Sequence, residues 1–125
     1  MKIHWVTPEF DGAGNALGYG QLCLALRQAL AQRGVQFTRD APIALHVKPP
    51  NTFEPVAGMR NVLFTMWESE TIPASMREHV AEADLIIAPC AWNVPIFSQY
   101  VSCPVVVCSL AVDPIFQPVA RAWKA

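Results

Sequence analysis

The sequence predicts an α/β fold: a doubly wound, Rossmann-like, mainly parallel sheet of about six strands with helices on both faces. Two observations lead to this prediction. Strand-like and helix-like stretches alternate along the chain, as βαβ units require. Several of the strand-like stretches are continuous apolar runs, which is typical of parallel strands that are covered on both faces.

The first half of the chain is predicted to supply three strands and one helix. Residues 3–7 form a short β-rich run, and glycines are frequent in residues 12–20. Apolar residues then recur on one face of a helix, at Leu22, Ala25, Leu26, Ala29 and Leu30. Gly34 stands where a glycine commonly follows the end of a helix. Residues 35–38 and 43–47 are the second and third predicted strands.

The second half continues the alternation. Residues 48–60 are predicted as a loop, and residues 61–66 as the fourth strand. Pro73 suits the first turn of the helix that follows. The apolar face of that helix consists of Met76, Val80 and Ala83. Residues 84–88 are the fifth strand and residues 104–110 the sixth. Between them lies a short helix with Pro95 in its first turn, whose predicted apolar face consists of Trp92, Ile96 and Tyr100.

The composition fits one globular domain, which we place at residues 1–118, with residues 119–125 as a tail or the start of an interdomain linker. Only 15% of the residues are charged, against about 25% in ordinary domains. This low charge suggests that another domain or subunit covers part of the surface. The nine Lys and Arg residues form no run, so no nucleic-acid partner is indicated. No signal peptide or apolar stretch of about 18 residues is present, so we expect a cytoplasmic protein without a transmembrane segment.

The cysteines show no metal-binding pattern. They are Cys23, Cys90, Cys103 and Cys108. None forms a C-x-x-C pair, and the histidines do not flank them with the spacing of zinc ligands. We therefore expect no metal site, and reduced thiols that belong to the core.

In open parallel sheets, ligands bind outside the carboxyl ends of the strands. This rule selects the loops at residues 8–18, 48–54, 67–72, 89–93 and 110–114. Their side chains and glycines are the candidates for a site, each with a structural alternative.

Glu68 and Trp67 directly follow the fourth strand. The Glu68 carboxylate can accept hydrogen bonds from sugar hydroxyls or act as a general base; alternatively, it pairs with the dipole of the helix near Pro73. The Trp67 ring can stack on a sugar or belong to the core. Ser69 lies in the same loop as a further binding candidate. His46, near the end of the third strand, is either a hydrogen-bonded core histidine or part of the site.

Gly12 and Gly14 can let backbone N–H groups approach a phosphate, or they can serve close packing of the helix on the sheet. Asn15 belongs to the same loop. Cys90 and Asn93 open the helix after the fifth strand, where Asn93 either caps the helix or contacts an acceptor. Asp113, after the sixth strand, is either a turn cap or a residue of an interdomain hinge.

Three short sequence motifs occur along the chain in an order that is typical of a known family. They are V-L-F-T-M-W-E-S at 62–69, A-D-L-I-I-A-P-C followed by W-N at 83–93, and L-A-V-D-P-I-F-Q-P at 110–118. Together they resemble the N-terminal domain of the group 1 (family 4) glycosyltransferases of the GT-B fold. That family has phrases like T-x-W-E-S, D-x-x-I-V-P-S with W-N, and P-L-G-V-D-x-x-x-F-x-P. Cys90 stands where the family has serine, and Ala111 where it has glycine.

The resemblance implies retaining transfer of a sugar from a nucleotide-sugar donor to an acceptor, a small molecule or a glycan, held mainly by this lobe. It implies that a second GT-B domain, which follows a linker, binds most of the donor. It implies no metal and no tightly bound cofactor.

Two other functions remain open from the sequence. The chain can be a non-catalytic interaction or oligomerisation module, including a homo-oligomer, because its apolar content is high. It can also be an NAD(P)-binding oxidoreductase domain, since the spacing of Gly12, Gly14 and Gly18 partly matches a dinucleotide fingerprint. Against this last function, residues 8–11 separate the first strand from the first glycine, where the fingerprint needs a tight turn.

Overall fold

The computed structural model describes residues 1–6 and 19–111. In chain order the elements are β1 (Lys2–Trp5), α1 (Tyr19–Gln32), β2 (Gln36–Phe37), β3 (Ile43–Val47), a 3₁₀ turn (Pro50–Thr52), β4 (Arg60–Phe64), α2 (Ala74–Ala81), β5 (Leu85–Ala88), α3 (Asn93–Ser98) and β6 (Val105–Val107). Strands and helices alternate as the sequence predicts.

The strands form one six-stranded sheet with the order β2-β1-β3-β4-β5-β6. Every neighbouring pair is parallel. The predicted Rossmann-like α/β fold is therefore confirmed. The order of strands reverses between β1 and β3, and all carboxyl ends meet at one edge, which we call the carboxyl rim. Ligand sites of such sheets lie at this edge, near the reversal.

Apolar clusters on the two faces of the sheet hold the helices in place. Alternate residues of a strand point to opposite faces. On one face, Val62 and Phe64 of β4 belong to the cluster that also contains Cys23 and Leu26 of α1. On the other face, Leu63 belongs to the cluster that includes residues of α2 and α3. That second cluster consists of Phe53, Leu63, Ile72, Val80, Ala83, Ile86, Ile96 and Phe97.

Helix α1 is longer than predicted, with 14 residues, and its predicted apolar face is confirmed at Leu22, Leu26 and Leu30, which pack against the core cluster. Cys23 is buried and Leu26 is half-buried, whereas Ala25 and Ala29 are exposed. The prediction that both alanines face the core is wrong, because the sheet contacts the helix along the Cys23 side. Gly34 ends the helix with a φ of 83°, as predicted.

In the stretch that the structure describes, no helix has the length and apolar character needed to cross a membrane.

The apolar face predicted for the helix α3 region is confirmed at Ile96 and Tyr100, which belong to or pack against the core cluster, and is wrong at Trp92. Its buried residues are Asn93, Ile96 and Phe97, at the i, i+3, i+4 spacing of one stripe. Trp92 precedes this stripe and is 50% exposed, so its assignment to the core is wrong. The neighbouring Asn93 is buried instead, and its amide bonds the loop after β4.

Strand β6 is shorter than predicted. The Cys108 N–H donates to the Ala88 carbonyl at 2.9 Å. Beyond that residue β5 has ended, so no strand of the described part of the chain lies beside residues 109–110. The two cysteines that follow β5 and β6, Cys90 and Cys108, are exposed. The prediction of a core thiol is therefore confirmed for Cys23 and wrong for Cys108, whereas Cys90 is the cysteine that the sequence also placed among the candidate site residues.

Candidate functional site

A cleft of about 340 Å³ opens at the carboxyl rim, where the order of strands reverses. Its residues come from the start of α1, from the segment after β3 and from the segment after β4. They are Tyr19, Pro49, Pro50, Met66, Trp67, Glu68 and Ser69. Its volume lies at the lower end of the range of small-molecule sites, about 300–1,000 Å³. We call this feature the rim cleft.

Tyr19 holds one side of the rim cleft in position. Its hydroxyl oxygen accepts the Met66 N–H at 3.0 Å. The hydroxyl also lies 3.3 Å from Thr65 Oγ1 and 3.4 Å from the Met66 carbonyl. Burial raises the pKa of the Tyr19 hydroxyl, and the nearby Glu68 carboxylate raises this pKa further. The hydroxyl thus stays protonated and joins the start of α1 to the loop after β4.

Two hydrogen bonds hold Trp67 on the other side. Its indole Nε1–H donates to the Thr71 carbonyl at 2.8 Å. The Asn93 amide donates to the Trp67 carbonyl at 2.6 Å, and the Cys90 thiol lies 3.7 Å from Asn93 Oδ1. Because Asn93 is only 2% exposed, this contact links the loops after β4 and β5 from within. The ring is therefore held at the cleft while part of it packs on the core.

Glu68 and Ser69 give the rim cleft its polar mouth. Both side chains are exposed and line the cleft. Glu68 is the only charged residue among the lining side chains that the structure describes. The arrangement combines an aromatic ring, proline surfaces, one carboxylate and one hydroxyl, which suits a polar ring compound with apolar faces.

The structure brings together only some of the predicted site residues. Trp67, Glu68 and Ser69 line the rim cleft. Cys90 and Asn93 lie behind Trp67 and contact it through the Asn93 amide. Four predicted residues lie outside the described part of the chain: Gly12, Gly14, Asn15 and Asp113.

His46 is not part of the rim cleft. Its side chain is fully buried and packs edge-on against Phe53, with ring centroids 4.8 Å apart. Its Nε2 lies 3.0 Å from Asn61 Oδ1. Since the Asn61 amide nitrogen donates to the carbonyls of Val56 and Met59, Oδ1 is the acceptor and Nε2 carries the proton. Nδ1 then has no hydrogen-bond partner among the described residues.

Acidic pH should destabilise the protein through His46. Burial lowers the pKa of this imidazole below 6.5, the Asn61 bond opposes the shift, and Lys48 and His4 add to it. The unfolded chain therefore binds a proton first, so stability present above about pH 6.5 falls as the pH drops toward the folded-state pKa. We expect the free energy of unfolding by urea to decrease from about pH 7 to about pH 5. His46→Gln should flatten this dependence, whereas the exposed His79→Gln should keep it. Equal slopes for both variants would contradict the assignment.

Removing the Tyr19 hydroxyl should weaken the contact between the start of α1 and the loop after β4 at the rim cleft. In Tyr19→Phe the Met66 N–H loses its acceptor, and we expect a loss of about 1–2 kcal/mol in the free energy of unfolding. Tyr100→Phe is the matched control, because Tyr100 contacts Arg77 through its ring, 4.5 Å from the guanidinium carbon. That control should change stability by less than about 0.5 kcal/mol. Urea denaturation measures both, and equal losses would show that the hydroxyl bond is not what stabilises this region.

Four cleft residues were not among the predicted site residues: Tyr19, Pro49, Pro50 and Met66. For Pro49 and Pro50 a signal existed, since they lie in a loop that the carboxyl-end rule selects. The sequence assigned them only the role of stopping the third strand. Met66 was assigned to a strand that ends at Phe64. Tyr19 has no local signal, because its partners are 46 and 47 residues away.

Within residues 1–6 and 19–111, no three His, Cys, Asp or Glu side chains are grouped so that they could hold a metal ion. The fold and the rim cleft thus define a Rossmann-like α/β protein with a ligand-sized cleft at its carboxyl rim. Comparison of this chain with protein-family models, with curated proteins and with solved structures finds no match.

Proposed function

We propose that this chain is the acceptor-side lobe of a GT-B glycosyltransferase. Paired with a C-terminal donor-binding domain, it transfers a sugar, with retention, from a nucleotide-sugar donor to an acceptor in the rim cleft. The observation that carries the proposal is the position of Trp67, Glu68 and Ser69. These residues of the T-M-W-E-S phrase line a cleft at the rim where Rossmann-like sheets bind ligands.

Each residue of the phrase has a role in this proposal. The Trp67 ring packs on the apolar face of the acceptor, which aligns it without a large entropy loss because the indole is already held by Thr71. The Glu68 carboxylate is the candidate catalytic residue: it accepts a hydrogen bond from the attacking hydroxyl and takes its proton as the new glycosidic bond forms. In the same step the bond between the anomeric carbon and the diphosphate oxygen breaks, and the nucleoside diphosphate leaves with the electron pair. Ser69 bonds a further hydroxyl of the acceptor. No metal and no tightly bound cofactor take part.

A transfer assay on the complete gene product tests the proposal. The protein is incubated with a panel of nucleotide sugars and a library of glycan and small-molecule acceptors, and release of the nucleoside diphosphate is measured. We expect release that depends on an acceptor and that Glu68→Gln reduces by about 100-fold or more. Glu70→Gln is the matched control, because Glu70 is an exposed carboxylate of the same loop that does not line the cleft. Absence of acceptor-dependent release with every donor would end the proposal.

A second function is supported by the apolar surface near β6. Large apolar side chains are exposed in β6 or in the segments after β5 and β6, namely Trp92, Val106, Val107 and Leu110. Such residues suit contact with a second GT-B domain or another copy of the chain. Light scattering tests self-association: a dimer that Val106→Glu dissociates would favour an interaction module, and a monomer at all concentrations would count against it.

A further inference from the structure

We infer that the rim cleft selects acceptor sugars without a phosphate or carboxylate group, and that Glu68 determines this selection. The inference rests on the proposed function and narrows its acceptor to a chemical class: neutral sugars and, with higher affinity, amino sugars. Three observations support this inference. They are the negative charge of the cleft lining, the hydrogen bond of the neighbouring Lys48, and the flat apolar surfaces of Trp67, Pro49 and Pro50.

The first property is charge. Sites that bind phosphate or carboxylate groups use Arg, Lys or a row of backbone N–H groups. Among the described lining residues of the rim cleft, Glu68 is the only ionisable group besides the Tyr19 hydroxyl. An anionic ligand in this cleft would thus meet a carboxylate, and none of the described lining residues supplies a compensating cation.

A lysine that neighbours the lining in sequence is bonded elsewhere. Lys48 directly precedes Pro49 in the lining, but its ammonium donates to the Thr52 carbonyl at 3.3 Å. This bond holds the side chain along the 3₁₀ turn at Pro50–Thr52. Lys48 is therefore the residue whose substitution tests whether a cation beside the lining contributes to phosphate binding.

The third property is the shape of the walls. Trp67, Pro49 and Pro50 provide flat apolar surfaces, while Glu68 and Ser69 offer oxygen atoms at the mouth. A sugar ring has apolar C–H faces and an equatorial belt of hydroxyls, so it can pack on these walls and donate hydrogen bonds to the carboxylate. A protonated amino group on such a ring would replace one hydroxyl bond to Glu68 by a charge-assisted bond.

The test is a ligand-observed NMR titration of the chain itself, without any donor. The probes are glucose, galactose and mannose, each as the neutral sugar, the 2-amino sugar and the 6-phosphate, at a slightly acidic pH where the amino group is protonated. For at least one configuration we expect the amino sugar to bind about two- to fivefold more tightly than the neutral sugar. The 6-phosphate should bind more weakly than both. Trp67→Ala should abolish binding of all three forms.

Two variants test whether Glu68 is the residue that determines the preference for the amino sugar. Glu68→Gln should remove the preference for the amino sugar over the neutral sugar. Glu70→Gln, the matched carboxylate outside the cleft, should preserve the preference. Lys48→Met should not change binding of the 6-phosphate.

Three outcomes would overturn the inference: tighter binding of the 6-phosphate than of the neutral sugar, a preference that survives in Glu68→Gln, or no binding of any probe at its highest soluble concentration. None of these three results changes the outcome expected in the transfer assay. Failure of the inference is therefore distinguishable from failure of the proposed function. Conversely, selective sugar binding by a protein without transferase activity would support a carbohydrate-binding role for the same cleft.

Discussion

Replacing Phe97 by alanine is expected to lower the free energy of unfolding by about 3–5 kcal/mol. Phe97 lies in α3 and has no exposed surface. It belongs to the cluster that also contains Leu63 of β4 and Ile86 of β5. Truncation removes the transfer free energy of the ring and leaves a cavity that the surrounding strands can fill only in part. Since natural domains are stable by about 5–15 kcal/mol, this single change should remove a large fraction of the total.

Urea denaturation followed by circular dichroism measures the effect. Leu24→Ala is the control, because Leu24 is a large apolar residue of α1 that is 54% exposed. We expect this control to change stability by less than about 0.5 kcal/mol. Phe97→Leu, which retains much of the volume, should be intermediate. A loss below about 1 kcal/mol for Phe97→Ala would contradict the packing of α3 against the sheet.

The second large effect is expected for Asn61→Ala, at about 2–4 kcal/mol. Asn61 is 5% exposed, and its side chain serves both the core and a loop. Its Oδ1 accepts the Val56 N–H at 2.8 Å in addition to the His46 bond. Its amide nitrogen donates to the carbonyls of Val56 and Met59 at 3.1 and 3.0 Å. Alanine keeps the backbone N–H bond to Asp84 but leaves these four groups without the partner that Asn61 provides.

Two further variants make this prediction specific. Asn51→Ala, at an exposed position of the 3₁₀ turn, should be close to neutral. Asn61→Asp retains Oδ1 but places a second oxygen opposite the carbonyls of Val56 and Met59, so it should also destabilise the fold. Because His46 loses its acceptor in Asn61→Ala, the pH dependence expected for His46 should change in this variant. Equal stability of the variants at positions 51 and 61 would rule out the proposed role of Asn61.

The candidate site could be predicted in part from strand order alone. Trp67, Glu68 and Ser69 follow a buried strand, and the carboxyl ends of parallel strands meet at one edge. That reasoning needs only the position of a residue after a strand. It does not specify which way a side chain points, and His46 illustrates the limit: it lies near the end of β3, yet its imidazole is buried against Phe53 and bonds Asn61.

Sequence patterns alone were enough to predict the class of fold, the order of its elements and the helix end at Gly34. Hydrophobic periodicity and backbone preferences act over a few residues, so they are readable locally. Tertiary packing settled which residues share the rim cleft, and it buried Cys23 and Asn93 where the helix patterns had placed Ala25 and Trp92. Tyr19 reaches Met66 across 47 residues of sequence, and α1 turns Cys23 rather than Ala25 toward the sheet. Such contacts depend on how the helices pack on the sheet. A helix with apolar residues on more than one side can bury either side, and contact with the sheet decides which side is buried.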